Sequence, residues 1–287
     1  MEDREVVCTV KIKSQAMVIE MMGSALITYI SCFAFRNQLS PVGVLTAAPY
    51  LAQGLVTGFF YLVGKEVSGG HYNPAISFTM ALTKHITWMT CCVYIFFQLL
   101  GSILGGLMVN YMTPANMRYQ LVNTVPQPNT LLNFGECYAI QTFCCTVYSL
   151  VYLYVKDHGK EHIHLGTVAL IVTMTAIGTC SAGATMGGFN IVAVFGPALA
   201  QDVFARTGSW TYYLGPFTGA FLASFIDRYF LNDNSLFSDL PKFKIVFQSG
   251  SQDGSEGRNN SESLEGDRKG ESPLATPVDK EPEETPS

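Results

Sequence analysis

Ser68-Gly69-Gly70-His71-Tyr72-Asn73-Pro74-Ala75 ends one long apolar segment and opens a short one, Ile76 to Thr83. Asn-Pro is a turn signal, and Pro sits well in the first turn of a helix, where its missing N–H costs nothing. Asn73 therefore reads as an N-cap with Pro74 at the first helical position. A helix of about ten residues, rising ~1.5 Å per residue, cannot cross a hydrocarbon layer of ~30 Å. Between full-length apolar segments, such a half-helix aims its positive end at the membrane midplane.

The same device recurs at Thr185-Met186-Gly187-Gly188-Phe189-Asn190-Ile191-Val192-Ala193. Gly-Gly precedes Asn in both copies, with one extra residue in the first, and Phe78 and Phe195 each follow their Asn by five positions. Glu20 lies 53 positions before Asn73, and Glu136 lies 54 before Asn190. Gly101 and Gly105 follow the first Asn at nearly the spacing with which Gly219 and Ala223 follow the second. The chain reads as an internal duplication with a period of about 117 residues, the separation of the two asparagines.

Composition agrees with a membrane solvent. Apolar residues make up 48 %, charged residues 14 %, and mean hydropathy is +0.25. The net charge of -5 is concentrated: from Gln248 onward ten acidic residues face four basic ones. Spans are expected at about Gln15 to Phe35, Val42 to Gly64, Trp88 to Met112, Leu132 to Val155, Leu165 to Gly183 and Trp210 to Phe230. Residues 1–14 carry charge and no apolar run, so no cleaved signal peptide is expected. The domain spans 15–230, with repeats at about 15–112 and 132–230, followed by a tail at 231–287. The tail is expected to be largely disordered from about 248, because it has almost no large apolar side chains.

Lys and Arg set the orientation. Arg4, Lys11, Lys13, Lys65, Lys84, Lys156, Lys160, Arg228, Lys242 and Lys244 fall on one side, against Arg36, Arg118 and Arg206 on the other. The positive-inside rule makes both termini cytoplasmic. The half-helices then enter from opposite faces and their positive ends meet near the midplane.

The eight cysteines fall mostly in spans and read as small packing residues, with no zinc-like spacing. His158, His162 and His164 read as a solvated cytoplasmic loop rather than a metal site, though a pH-sensitive gate is conceivable. Ser272, Thr276 and Thr285 each precede Pro and are candidate phosphoacceptors that could switch a cytoplasmic partner of the tail. No nucleophile-base set, metal ligands, cofactor loop or nucleic-acid signature is present, so an enzyme is not expected.

From about Gln15 to Phe230 the chain resembles the aquaporins, or major intrinsic proteins. The resemblance rests on Asn73-Pro74-Ala75, Glu20, Glu136, Gln98 and the stretch from Trp210 to Gly219. It implies an all-α hourglass of six transmembrane helices and two re-entrant half-helices, assembled as a homotetramer with a pore in each subunit. It also implies a bilayer setting, the plasma membrane first and an intracellular membrane as the alternative, and passage of water or small neutral solutes without a cofactor. In such a pore, Asn73 and Asn190 would donate side-chain N–H groups to a passing oxygen. Carbonyls from Gly69 to Tyr72 and Gly187 to Phe189 would accept, and Glu20 and Glu136 would hold the two loops.

Departures from the family pattern are concentrated in the second box. The half-helix starts at Ile191 and Val192 where Pro74 and Ala75 stand in the first copy, and Ala193 replaces the family's constriction arginine. Aligned on each Asn, the other lining positions are Gln53, Gly178 or Thr179, and Gly187. Small side chains there imply a wider outer constriction, while Ile191 adds bulk nearer the midplane. Two functions are weighed: a passive channel for water and solutes such as glycerol, urea or ammonia, and an aquaporin-fold protein serving adhesion, junctions or scaffolding. A coupled transporter lacks ionisable residues beyond the two glutamates.

Overall fold

A computed structural model describes residues 13–36, 47–158 and 163–231, all within the unit Met1–Pro241. The tail with Ser272, Thr276 and Thr285, His162, and the start of the second expected span lie outside these residues.

Among the described residues, eight α-helices follow in order: α1 (Ser14–Arg36), α2 (Ala48–Gly64), α3 (Pro74–Leu82), α4 (Trp88–Met112), α5 (Phe134–His158), α6 (Ile163–Thr185), α7 (Val192–Ala200) and α8 (Thr211–Ile226). A 3-10 segment, Ala115–Thr124, lies between α4 and α5, and α8 runs on into a π-helical turn, Asp227–Leu231. α1, α4, α5 and α6 are each long and apolar enough to cross a bilayer. α3 and α7 have nine residues each and are the two half-helices.

Packing repeats when the halves are exchanged. α1 lies along α4 as α5 lies along α8; α1 meets α2 as α5 meets α6; α7 lies on α4 as α3 lies on α8. α2 and α6, equivalent to each other, pack together. Small residues set the closest approaches: a Cβ at Gly101 would land on the Met21 carbonyl, one at Gly105 on the Ala25 carbonyl, and one at Gly219 on the Thr142 carbonyl. Gly101 and Gly105 thus serve packing inside one chain, where backbones touch.

The outward faces are apolar. Phe59, Phe96, Phe143, Leu165, Val172, Leu214 and Phe221 are all exposed, while Glu20, Gln98, Ser102, Gln141 and Ser149 are fully buried. This inside-out pattern suits a hydrocarbon solvent, in which backbone polar groups must be satisfied internally. Seven cysteines among the described residues are free thiols.

Candidate functional site

The loop before α3 turns sharply. Gly69, Gly70 and Tyr72 have φ of 98°, 73° and 46°, and the loop before α7 does the same at Met186, Gly187 and Gly188, with 53°, 73° and 80°. Left-handed backbone is cheap for Gly and costly for Tyr and Met, so tertiary contacts must impose it.

Glu20 imposes it on the first loop. Its Oε1 accepts from Ser68 Oγ (2.5 Å) and the His71 N–H (2.9 Å), and its Oε2 from the Tyr72 N–H and Gln98 Nε2, both at 2.8 Å. Four donors match the acceptor capacity of one carboxylate, which explains how an acid can sit with no exposure inside this bundle. Gln98 Nε2 also donates to Ser77 Oγ (2.9 Å), which lies within hydrogen-bond distance of His71 Nδ1 (3.0 Å).

Glu136 does not do the same for the second loop. It is exposed in the first turn of α5, where its Oε2 accepts the Asn133 N–H and its own N–H donates to Asn133 Oδ1, both at 2.9 Å. This reciprocal pair is a capping box. The expectation of a second buried carboxylate is therefore corrected: the near-equal spacing from each Asn misses that α5 begins only two residues before Glu136. Gln141, fully buried on α5, reaches the loop instead and donates through Nε2 to the Gly187 carbonyl. The Tyr212 hydroxyl adds a bond to the Thr185 carbonyl (3.0 Å).

Each half-helix starts at its asparagine. Asn73 Oδ1 accepts the Ala75 N–H (3.1 Å) and Asn190 Oδ1 accepts the Val192 N–H (3.2 Å). The two amides are thereby oriented alike, oxygen on the helix and nitrogen away from it. Asn190 Nδ2 reaches the Tyr72 carbonyl (3.4 Å), while buried Asn73 Nδ2 has no partner among the described residues. Without the Pro of the first box, α7 is regular only from Val192, one residue later than α3 relative to its Asn. Ser102 from α4 enters the α7 ladder: its hydroxyl accepts the Gly196 N–H (2.7 Å) and donates to the Val192 carbonyl, which also accepts from Thr28 Oγ1 (2.9 Å).

The loop carbonyls divide into two sets. Gly69 accepts from Tyr152 Oη (2.6 Å), Tyr72 from Asn190 and Gly187 from Gln141. Gly70, His71, Gly188 and Phe189 have carbonyls with no protein donor among the described residues. Two free acceptors per loop thus flank the asparagine amides.

Gln53, Gly178, Gly187 and Ala193 are all buried, and Gln53 makes no side-chain hydrogen bond among the described residues. Thr179 departs from this group. It continues the exposed stripe of Leu165, Val168 and Val172 on α6, and its hydroxyl turns back to the Thr175 carbonyl (2.7 Å). Gly178, on the opposite face with Met174 and Ser181, is the inward position. The aromatic ring of Tyr50 lies against both Gly178 and Gly187, taking up space beside these two small residues. Arg36, Arg118 and Arg206 do not stand in for the absent arginine; they bond Met117 Sδ, the Thr113 carbonyl and Gln127 Oε1.

Paired half-helices on a duplicated bundle have a counterpart among known families. The family model "Major intrinsic protein" matches residues 7–227. The chain belongs to this family. A probable aquaporin TIP2-2 of Oryza sativa subsp. japonica is 31% identical over 195 residues, 67% of this chain and 73% of that protein. Aquaporin TIP2-2 of Zea mays is 30% identical over 223 residues, covering 74% of this chain and 85% of the relative. The fold matches the X-ray structure of an aquaglyceroporin from Plasmodium falciparum with a TM-score of 0.68 at 21% identity, covering 74% of this chain and 94% of that one. The protein is accordingly an integral, multi-pass membrane protein with the aquaporin-like helical fold.

Proposed function

We propose that this major intrinsic protein is a passive channel for water and small neutral solutes such as urea, ammonia and glycerol. One observation carries the reading: two half-helices start at asparagines whose amide nitrogens are turned off their own helices, with carbonyls before each that have no protein donor among the described residues. Their positive ends disfavour cations, and donors at the centre orient a passing oxygen so that a chain of waters cannot relay protons. The subunit would act in a homotetramer in the plasma membrane, with both termini cytoplasmic, and the site offers no group suited to catalysis.

The reading of an adhesion or scaffold protein has one observation in its favour. Asn73 and Asn190 are each only 1% exposed, with Ile191 at 3% and Val192 at 0% beside them. Osmotic shrinkage of proteoliposomes, followed separately in water, urea and glycerol gradients, decides between the two. Solute rates above those of protein-free vesicles support the channel, and rates equal to them in every gradient support the scaffold.

A further inference from the structure

Within that channel reading, we infer that Tyr50 sets the solute size admitted at the outer end of the pore, a task the four aligned lining positions do not perform alone. Tyr50 stands three residues before Gln53 on α2 and shares its buried face, one turn nearer the helix start. Both side chains point away from the exposed stripe of Leu51, Leu55 and Phe59.

The ring occupies the room that glycine leaves. A Cβ built on Gly178 would come within 2.6 Å of Tyr50 Cδ1, and one on Gly187 within 3.0 Å of Cε1. One ring edge therefore runs along both positions, so smallness at 178 and 187 is matched by bulk from α2. Phe35 holds the ring at 5.3 Å in an edge contact at 80°, and Ala182 and Met186 complete its cluster. A ring pinned in this way is a fixed wall rather than a mobile side chain.

The polar end of the ring points to a ligand. Tyr50 is 1% exposed, yet its hydroxyl has no hydrogen-bond partner among the described residues. Leaving a buried hydroxyl unpaired is unfavourable, and tyrosine is ordinarily retained in such a place because its O–H finds a partner. Gln53, one turn away, also has a side-chain amide without a hydrogen bond among the described residues. Together they offer an O–H and a carboxamide to a neutral solute where a guanidinium is absent at Ala193. The chemistry suits a small molecule bearing hydroxyl, amide or amine groups, and the ring limits how large it can be.

The test compares full-length wild type, Tyr50→Ala, Tyr50→Leu and Tyr50→Phe in proteoliposomes, reading the glycerol rate relative to the water rate. Tyr50→Ala is expected to raise that ratio about tenfold, the scale on which a few pocket atoms alter discrimination. Tyr50→Leu keeps apolar packing against Phe35 and should raise it in the same direction, which preserves the test if the alanine variant does not fold. Tyr50→Phe keeps the wall and should leave the glycerol-to-water ratio as in the wild type. An unchanged ratio in both Tyr50→Ala and Tyr50→Leu, with water still conducted, overturns the role of Tyr50 and leaves the channel reading intact. So does a rise in Tyr50→Phe equal to that in Tyr50→Ala. If neither the wild type nor Tyr50→Ala conducts water or solute, the channel reading falls and this inference with it.

Discussion

The side-chain amide of Asn190 donates to the carbonyl of Tyr72, 3.4 Å away, across the join between the two halves of the chain. Tyr72 immediately precedes Asn73, so this bond brings the starts of both half-helices to one place. It also leaves Asn73 Nδ2 as the central donor with no acceptor among the described residues.

Asn73 combines a cap and a donor, and substitution separates them. Asn73→Asp keeps the oxygen that caps Ala75 but replaces the free N–H donor with a second acceptor. A carboxyl group buried beside one donor is costly, so the thermal stability of this variant should fall by roughly 1–3 kcal/mol and its water permeability should fall as well. Asn73→Ala loses the cap but buries no acid and should cost about 1 kcal/mol relative to wild type. Melting in detergent and vesicle shrinkage together check both halves.

The two glutamates should separate sharply. Glu20→Ala strands four buried donors, each costing roughly 1–3 kcal/mol when unmet, so a loss of at least ~3 kcal/mol or failure to fold is expected. Glu136→Ala removes only an exposed capping box and should cost about 1 kcal/mol or less. Equal destabilisation by the two substitutions would contradict the assignment of loop support to Glu20 alone.

Helix α1 leaves no room at Gly105, where a side chain would meet the Ala25 carbonyl and Thr28 Cβ. Gly105→Val should therefore destabilise each subunit by ~1–3 kcal/mol or more through overpacking. The measurement is thermal unfolding of the solubilised protein. A variant that melts like wild type but dissociates into monomers would place this glycine at a subunit interface instead.

Ala193→Arg restores a fixed cation and narrows the outer end. Urea and glycerol rates should fall more than the water rate. Parallel loss of all three rates would show that the added side chain merely blocks the pore.

The spans were legible because periodicity and length in a membrane leave few options. Trp88 to Met112 coincides with α4, and the half-helix start at Pro74 follows from Asn-Pro alone. Orphan donors and acceptors were legible only in part. Glu20 can be read as buried because an acid inside an apolar segment must have partners. Glu136 misled because its spacing from Asn190 nearly copies that of Glu20, whereas Asn133 three residues earlier was the available capping signal. Gln141 and Tyr50 carried no local signal. Their importance comes from what approaches them in space, the Gly187 carbonyl and the bare backbones of Gly178 and Gly187.

The most direct test of the channel itself is stopped-flow osmotic shrinkage of proteoliposomes carrying the full chain or Asn73→Asp at equal incorporation. The pore built around Asn73 and Asn190 predicts that wild-type vesicles shrink faster than both protein-free vesicles and those with Asn73→Asp. A wild-type rate equal to that of protein-free vesicles would contradict it.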